Sequence, residues 1–151
     1  MPNYCYNRMI ISGEGLGKFR ETMNRQNEIG EIVEFSFYQT VPRPFEENDN
    51  WYKWNIKNWG TKWDTDDQLE IRDYGDSIEI VLQTAWAPPT SWARTCASKT
   101  PYLRIAISYR EPGVGFCGRC VAENDFYENI QDEFVPSDSE EDISEITNVA
   151  A

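Results

Sequence analysis

The stretch LEIRDYGDSIEIVLQ, from Leu69 to Gln83, limits the possible folds of this chain more than any other. Leu69, Ile71, Ile78, Ile80 and Leu82 alternate with Glu70, Arg72, Glu79 and Gln83. A period of two sends the two sets to opposite sides of a pleated strand, so one face is buried and the other is charged. The residues DYGD interrupt the alternation, and Gly75 supplies the positive φ of a tight connection. The expected product is an antiparallel hairpin, and the other elements have to cover its apolar face.

The flanking segments supply that cover. Asn3 to Ser12 reads as a first strand that ends at Gly13. Leu16, Phe19 and Met23 form one apolar stripe, which predicts a helix from about Gly15 to Gln26. Ile32 to Val41 reads as a short strand, stopped by Pro42 and Pro44. A helix is expected between Asn48–Asn50 and Gly60; its two apolar faces predict that it is mostly buried. Pro88 and Pro89 open another helix with Trp92, Ala93, Cys96 and Ala97 facing inward, and Pro101 stops it. Leu103, Ile105 and Ile107 mark a further strand, and CVAENDFY extends the sheet at its edge. The core order βαββαβ is that of an α+β, ferredoxin-like sandwich, an antiparallel sheet with helices on one face. The extra Trp-rich helix precedes the central hairpin. The expected domain covers residues 1–127, and residues 128–151 form an acidic, flexible tail.

Charge narrows the function. The formal net charge is −12, with 14 Lys and Arg against 26 Asp and Glu. From Glu128 onward there are eight acids and no base, which leaves a mildly acidic body and a strongly acidic tail. Such a chain is expected to repel nucleic acid and to meet partners with basic surfaces. No apolar run reaches the roughly 18 residues of a membrane helix, and the first residues do not read as a secretory signal. A cytoplasmic location with reduced cysteines is expected.

Four stretches carry a family resemblance: MPNYCYNRMIISG at the N-terminus, NWGTKWD at Asn58 to Asp64, TAWAPP at Thr84 to Pro89 and EPGVGFCG at Glu111 to Gly118. Over about residues 1–122 the chain resembles the ferredoxin-like domain of phage- and plasmid-encoded Api-like (YubB-like) proteins. The resemblance implies that fold and a mobile-element origin; it implies no activity. The acidic tail departs from the motif-bearing part.

Chemical motifs are sparse. The chain has no histidine, which removes Ser-His-Asp and Cys-His pairs and the commonest general base, so no enzyme is expected. Asp64, Asp66 and Asp67 lack the spacing of a calcium loop and read as a solvated loop. The Gly13 to Gly17 stretch has no following GK[ST] and is not a phosphate loop. Cys117 and Cys120 have CxxC spacing; with Cys5 and Cys96 they would complete a four-thiolate zinc site if the fold gathered them, whereas buried inert thiols are the expected state. No metal or cofactor is expected. Four of the six tryptophans fall between Trp51 and Trp63. They are expected to fill the core; a ligand site, if built, would use Trp59, Lys62, Trp63, Asp64 and Trp86 to stack on and orient a nucleotide-like molecule. In the tail, Asp138, Glu140, Glu141, Asp142 and Glu145 are the expected contacts to a basic host or defence-system protein, with the carboxylates standing in for a phosphate backbone.

Overall fold

The computed structural model describes residues 3–134. Strand β1 (Tyr4–Ser12) leads into helix α1 (Leu16–Thr22). An insertion follows: strands β2 (Arg25–Gln26) and β3 (Ile32–Val33), the single turn α2 (Phe37–Thr40), a 3-10 turn (Phe45–Asn50) and helix α3 (Trp51–Asn58). Then come β4 (Leu69–Asp73), β5 (Ser77–Ala85), α4 (Thr90–Lys99), β6 (Arg104–Glu111), β7 (Phe116–Glu123) and β8 (Phe126–Glu133). The large sheet has the order β4-β5-β1-β6-β7-β8 with every pair antiparallel. Its first four members make the ferredoxin-like βαββαβ unit, with β1 central between β5 and β6, and the β7–β8 hairpin widens the sheet beyond it. Among the described residues no helix is long and apolar enough to cross a membrane.

The hairpin forms as its alternation demands. Ile71 pairs with Ile80 and Leu69 with Leu82, and Gly75 takes φ +88° in the connection. In the next strands Met9 lies beside Ile80 and Ile107, and Ile11 beside Ile78 and Ile105. These residues share the helix-facing side, where Met9, Ile11, Ile78, Ile80, Ile105 and Ile107 are all buried. Leu16 and Phe19 of α1 and Trp92, Ala93, Cys96 and Ala97 of α4 close over them.

Four expectations are corrected. Helix α1 stops at Thr22, since Met23 is extended and Asn24 takes φ +56°. Ile32 to Val41 does not stay a strand: after Val33 the backbone N–H groups of Ser36, Phe37 and Tyr38 are taken by Gln39 Oε1 and the Asp64 carboxylate, which starts α2. Helix α3 is not buried. Its inward residue is Asn55, while Trp51, Tyr52 and Ile56 are exposed. Finally, the sheet does not end at Tyr127. Glu128, Asp132 and Glu133 belong to β8, a strand exposed on nearly all positions. An outermost strand has little to bury, and charges on it discourage pairing with another chain, so its sequence resembles a tail.

The β7–β8 hairpin depends on a close approach at Gly118. A Cβ there would collide with the carbonyl oxygen of Ile130 and would lie 2.5 Å from Tyr109 Oη, which donates to Asn129 Oδ1 at 2.6 Å. Gly118→Ala is expected to destabilise the fold by about 1–3 kcal/mol, the usual range for overpacking. Gly17→Ala, which meets open space in α1, is expected to be neutral or stabilising. Urea midpoints of the two variants against wild type test the contrast.

Candidate functional site

The tryptophans divide into sealed and open sets. Trp59 and Trp92 are fully buried. Trp92 packs on Phe35 at 5.3 Å and Phe37 at 5.5 Å between ring centroids, and Trp59 on Phe37 at 5.9 Å. Each indole N–H has a partner on α2 or just past it: Trp92 Nε1 donates to Thr40 Oγ1 at 2.7 Å, and Trp59 Nε1 to the Val41 carbonyl at 2.9 Å. Trp54 is half-buried and sets an edge against Trp59. Trp51, Trp63 and Trp86 keep about two-fifths of their surface exposed.

Two of the sequence motifs meet each other rather than an outside ligand. The Trp59 carbonyl accepts from Trp92 N–H at 3.2 Å, and Thr61 Oγ1 donates to the Ala85 carbonyl at 2.8 Å. Gly60, at φ +89°, passes so close to Pro88, Thr90 and Ser91 that a side chain would press on their backbone at 3.1–3.3 Å. NWGTKWD and TAWAPP thus clasp the insertion to the start of α4. EPGVGFCG is also structural: the buried Glu111 carboxylate accepts from Gly113 N–H at 2.6 Å and Val114 N–H at 2.7 Å, which shapes the bend into β7.

The residues expected at a ligand site are therefore split. Trp59 belongs to the core, where its ring is fully buried. Trp86 directly follows β5, and its backbone N–H donates to the Asn3 carbonyl. Lys62 stacks its ammonium over Tyr52 at 5.2 Å and Trp63 at 4.8 Å. Trp63 and Asp64 do line a cleft of about 410 Å³, with Trp51, Arg43, Asn55 and Glu28. Sequence reading missed the last four because their positions along the chain carry no shared period. Arg43 reaches Asn55 Oδ1 at 2.9 Å and Glu28 at 3.2 Å, and Asn55 Nδ2 donates to the Lys62 carbonyl at 2.8 Å.

A second cleft, of about 460 Å³, runs between residues 27–35 and 65–69. Glu31, Glu34, Asp66 and Asp67 line it, beside Ile29 and Leu69. Among the described residues Glu31, Glu34 and Asp67 have no Lys or Arg within ion-pair distance. Ile29, Ile32 and Phe45, all highly exposed, surround this part of the insertion. Sequence reading did not single out this cleft, since its carboxylates come from two segments joined only by the fold.

The cysteines are not gathered. Cys5 and Cys120 lie on the helix-facing side of the sheet, Cys96 on α4, and Cys117 on the opposite side of the sheet. Burial pushes the Cys96 and Cys120 thiols up to about 12, and the Cys5 thiol also upward, which disfavours the thiolates that bind metal or attack disulfides. Among the described residues no group of three or more His, Cys, Asp or Glu is placed to hold a metal ion. Asp138, Glu140, Glu141, Asp142 and Glu145 lie outside the described residues.

The model of one protein family, described as a ferredoxin-like domain in Api92-like protein, matches residues 58–149. The match includes the acidic C-terminal stretch, which therefore does not depart from the family pattern as expected, and it begins at the NWGTKWD motif. No curated protein and no solved structure matches the chain.

Asp64 is the most perturbed acid in this region. Its Oδ1 accepts from Phe37 and Thr65 N–H, both at 2.7 Å, and its Oδ2 from Tyr38 N–H at 3.2 Å, so it caps α2 from a distant segment. Burial pushes its carboxyl up to about 6, against the pull of those three donors. A carboxyl whose folded pKa exceeds its unfolded value of about 3.9 holds its proton more firmly when folded. Its contribution is therefore fully present below about pH 4 and is lost as pH rises through about 6, a change of about 2–3 kcal/mol. Asp64→Ala, which strands three N–H groups, is expected to destabilise at every pH, and by more at about pH 4.5 than at about pH 7.5. Urea denaturation of both proteins at the two pH values checks the sign.

Proposed function

On the premise that the chain belongs to the family with a ferredoxin-like domain in Api92-like protein, we propose that it is a non-enzymatic accessory protein of phage or plasmid origin. It acts in the host cytoplasm by binding a host or defence-system protein through its acidic surface. The cleft of Glu31, Glu34, Asp66 and Asp67 carries this reading. Carboxylates without a Lys or Arg partner among the described residues, beside exposed Ile29, offer a basic partner both charge attraction and an apolar anchor. The stretch 135–151 adds Asp138, Glu140, Glu141, Asp142 and Glu145. A partner that normally grips nucleic acid has the required basic groove, and occupying that groove would inhibit it; anti-defence inhibition is the specific form proposed.

The test is capture from host cytosol on immobilised protein, followed by titration of the captured protein in solution. Affinity is expected to fall steeply between about 0.05 and 0.5 M salt. The full chain carrying Glu31→Gln, Glu34→Gln, Asp66→Asn and Asp67→Asn is expected to bind at least about tenfold more weakly, or about 1.4 kcal/mol. Binding that ignores both salt and the four substitutions overturns the reading.

A second reading rests on the Trp51–Trp63 cleft. Two half-open indoles beside Arg43 and Asp64 would admit a flat ligand such as a nucleotide. It predicts that a nucleotide quenches tryptophan fluorescence and that Trp63→Ala abolishes the quenching with the fold intact. A nucleotide panel without quenching removes it.

A further inference from the structure

Helices cover one side of the large sheet, and its other side is open. Strand register aligns Val81, Arg8, Ser108, Arg119 and Ile130 in one row on that open side, across β5, β1, β6, β7 and β8. The next row reads Glu79, Ile10, Ala106, Val121 and Glu128. Ile10, Ala106 and Val121 thus form an apolar strip across the middle of the face, with a carboxylate at each end. Val81 and Ile130 flank it, 38% and 46% exposed, and Tyr6 and Phe126 on the same side are exposed as well. Apolar groups at the centre with charges around them are the anatomy of a protein interface.

The charges on this face balance. Arg8, Arg72, Arg104, Arg110 and Arg119 stand there with Glu70, Glu79, Glu123, Glu128 and Asp132, five of each sign on a chain whose net charge is −12. On the β4–β5–β1 half they answer one another, Arg8 with Glu79 and Arg72 with Glu70. On the β6–β7–β8 half they do not. Arg104, Arg110, Arg119, Glu123, Glu128 and Asp132 have no ion-pair partner among the described residues. Arg110 is already ordered, its guanidinium 4.8 Å from the Tyr6 ring and 5.8 Å from the Phe134 ring, so pairing it costs little further side-chain entropy.

Three unanswered arginines and three unanswered carboxylates on one surface make that surface complementary to itself. In a two-fold contact the same patch meets its copy, so the arginines of each chain reach the carboxylates of the other. Net negative charge opposes the meeting of two copies through their acidic surfaces, and this neutral face escapes that repulsion. Its size also fits. Six strands about 4.8 Å apart and about eight residues long span about 29 by 27 Å, close to the roughly 800 Å² that each partner buries in a stable interface. We propose that the open face of the sheet binds the same face of a second copy, forming a two-fold dimer with the Ile10–Ala106–Val121 strip at its centre. Nucleic acid needs a basic stripe, which this face lacks. The dimer does not depend on the acidic-surface reading, since Glu31, Glu34, Asp66 and Asp67 lie off this face and stay available.

Analytical ultracentrifugation of the full chain, from about 1 µM to about 0.5 mM, tests it. Twice the chain mass is expected within that range, as for an interface of this size and polarity. Two charge-reversed chains locate the contact: one carries Arg104→Glu and Arg119→Glu, the other Glu123→Lys and Glu128→Lys. Each alone is expected to dimerise at least about tenfold more weakly, because like charges now face each other. An equimolar mixture of the two is expected to regain the dimer, since the acidic face of one then meets the basic face of the other. That regain also shows that both variants fold. A wild-type chain that stays monomeric at about 0.5 mM overturns the proposal and leaves the face to a different occupant. Dimers that ignore both reversals, or that are lost in each variant and not regained on mixing, overturn it as well.

Discussion

Trp92 sits where the sheet, α1, α4 and the insertion meet, with Phe19, Phe35 and Phe37 against its ring and its N–H on Thr40. Truncation of a buried tryptophan of this kind typically costs about 3–5 kcal/mol, a large part of a domain's net stability. More depends on it than that energy. The insertion between α1 and β4 has only two-residue strands and short helices of its own, so it cannot bury a core alone. It is held by handing Phe35, Phe37 and Trp59 to the core built around Trp92, with the Trp59–Gly60–Thr61 backbone clasped to the start of α4. Every cleft described above lies on that insertion or at its edge, so their shapes follow from this packing.

The electrostatic layout follows from what the hydrophobic layers leave free. The helix-facing side of the sheet is apolar, and polar groups there are satisfied within the fold: Asn7 donates to Thr84 Oγ1 and to the Cys5 and Leu82 carbonyls. Charge is displaced to the surfaces and is not mixed evenly there. Carboxylates gather on the insertion, whereas the open side of the sheet carries arginines and carboxylates side by side. Strand alternation turns Arg8, Arg104, Arg110 and Arg119 to that side together with Glu79, Glu123, Glu128 and Asp132.

The motifs that carry the family resemblance turn out to be joints. Gly60 is there because backbone passes within van der Waals reach, Asp64 because the Phe37 and Tyr38 N–H groups that open α2 need an acceptor, and Glu111 because the bend into β7 exposes two N–H groups. A tryptophan beside a lysine and an aspartate reads the same in one dimension whether it awaits a ligand or another part of its own chain. The expectation of one ligand site mixing Trp59, Lys62, Trp63, Asp64 and Trp86 could not separate these cases. Burial separates them, since Trp59 is sealed and Trp63 is open.

Sequence by itself determined the period-two strands, the apolar stripes of α1 and α4, the central hairpin with Gly75 at its turn, and thereby the ferredoxin-like order of the sheet. It also determined the acidity and the absence of histidine. These are local or compositional properties, and the periods of strand and helix write them directly into the chain. Only the tertiary structure decided that Ile32 to Val41 breaks at Ser36, that α3 lies on the surface, and that Glu128 to Glu133 form an edge strand. It alone placed Glu31 beside Asp66 and Arg110 beside Phe134. Each of these depends on a partner far along the chain, such as the Asp64 carboxylate or a neighbouring strand, and no period within the segment itself encodes that partner.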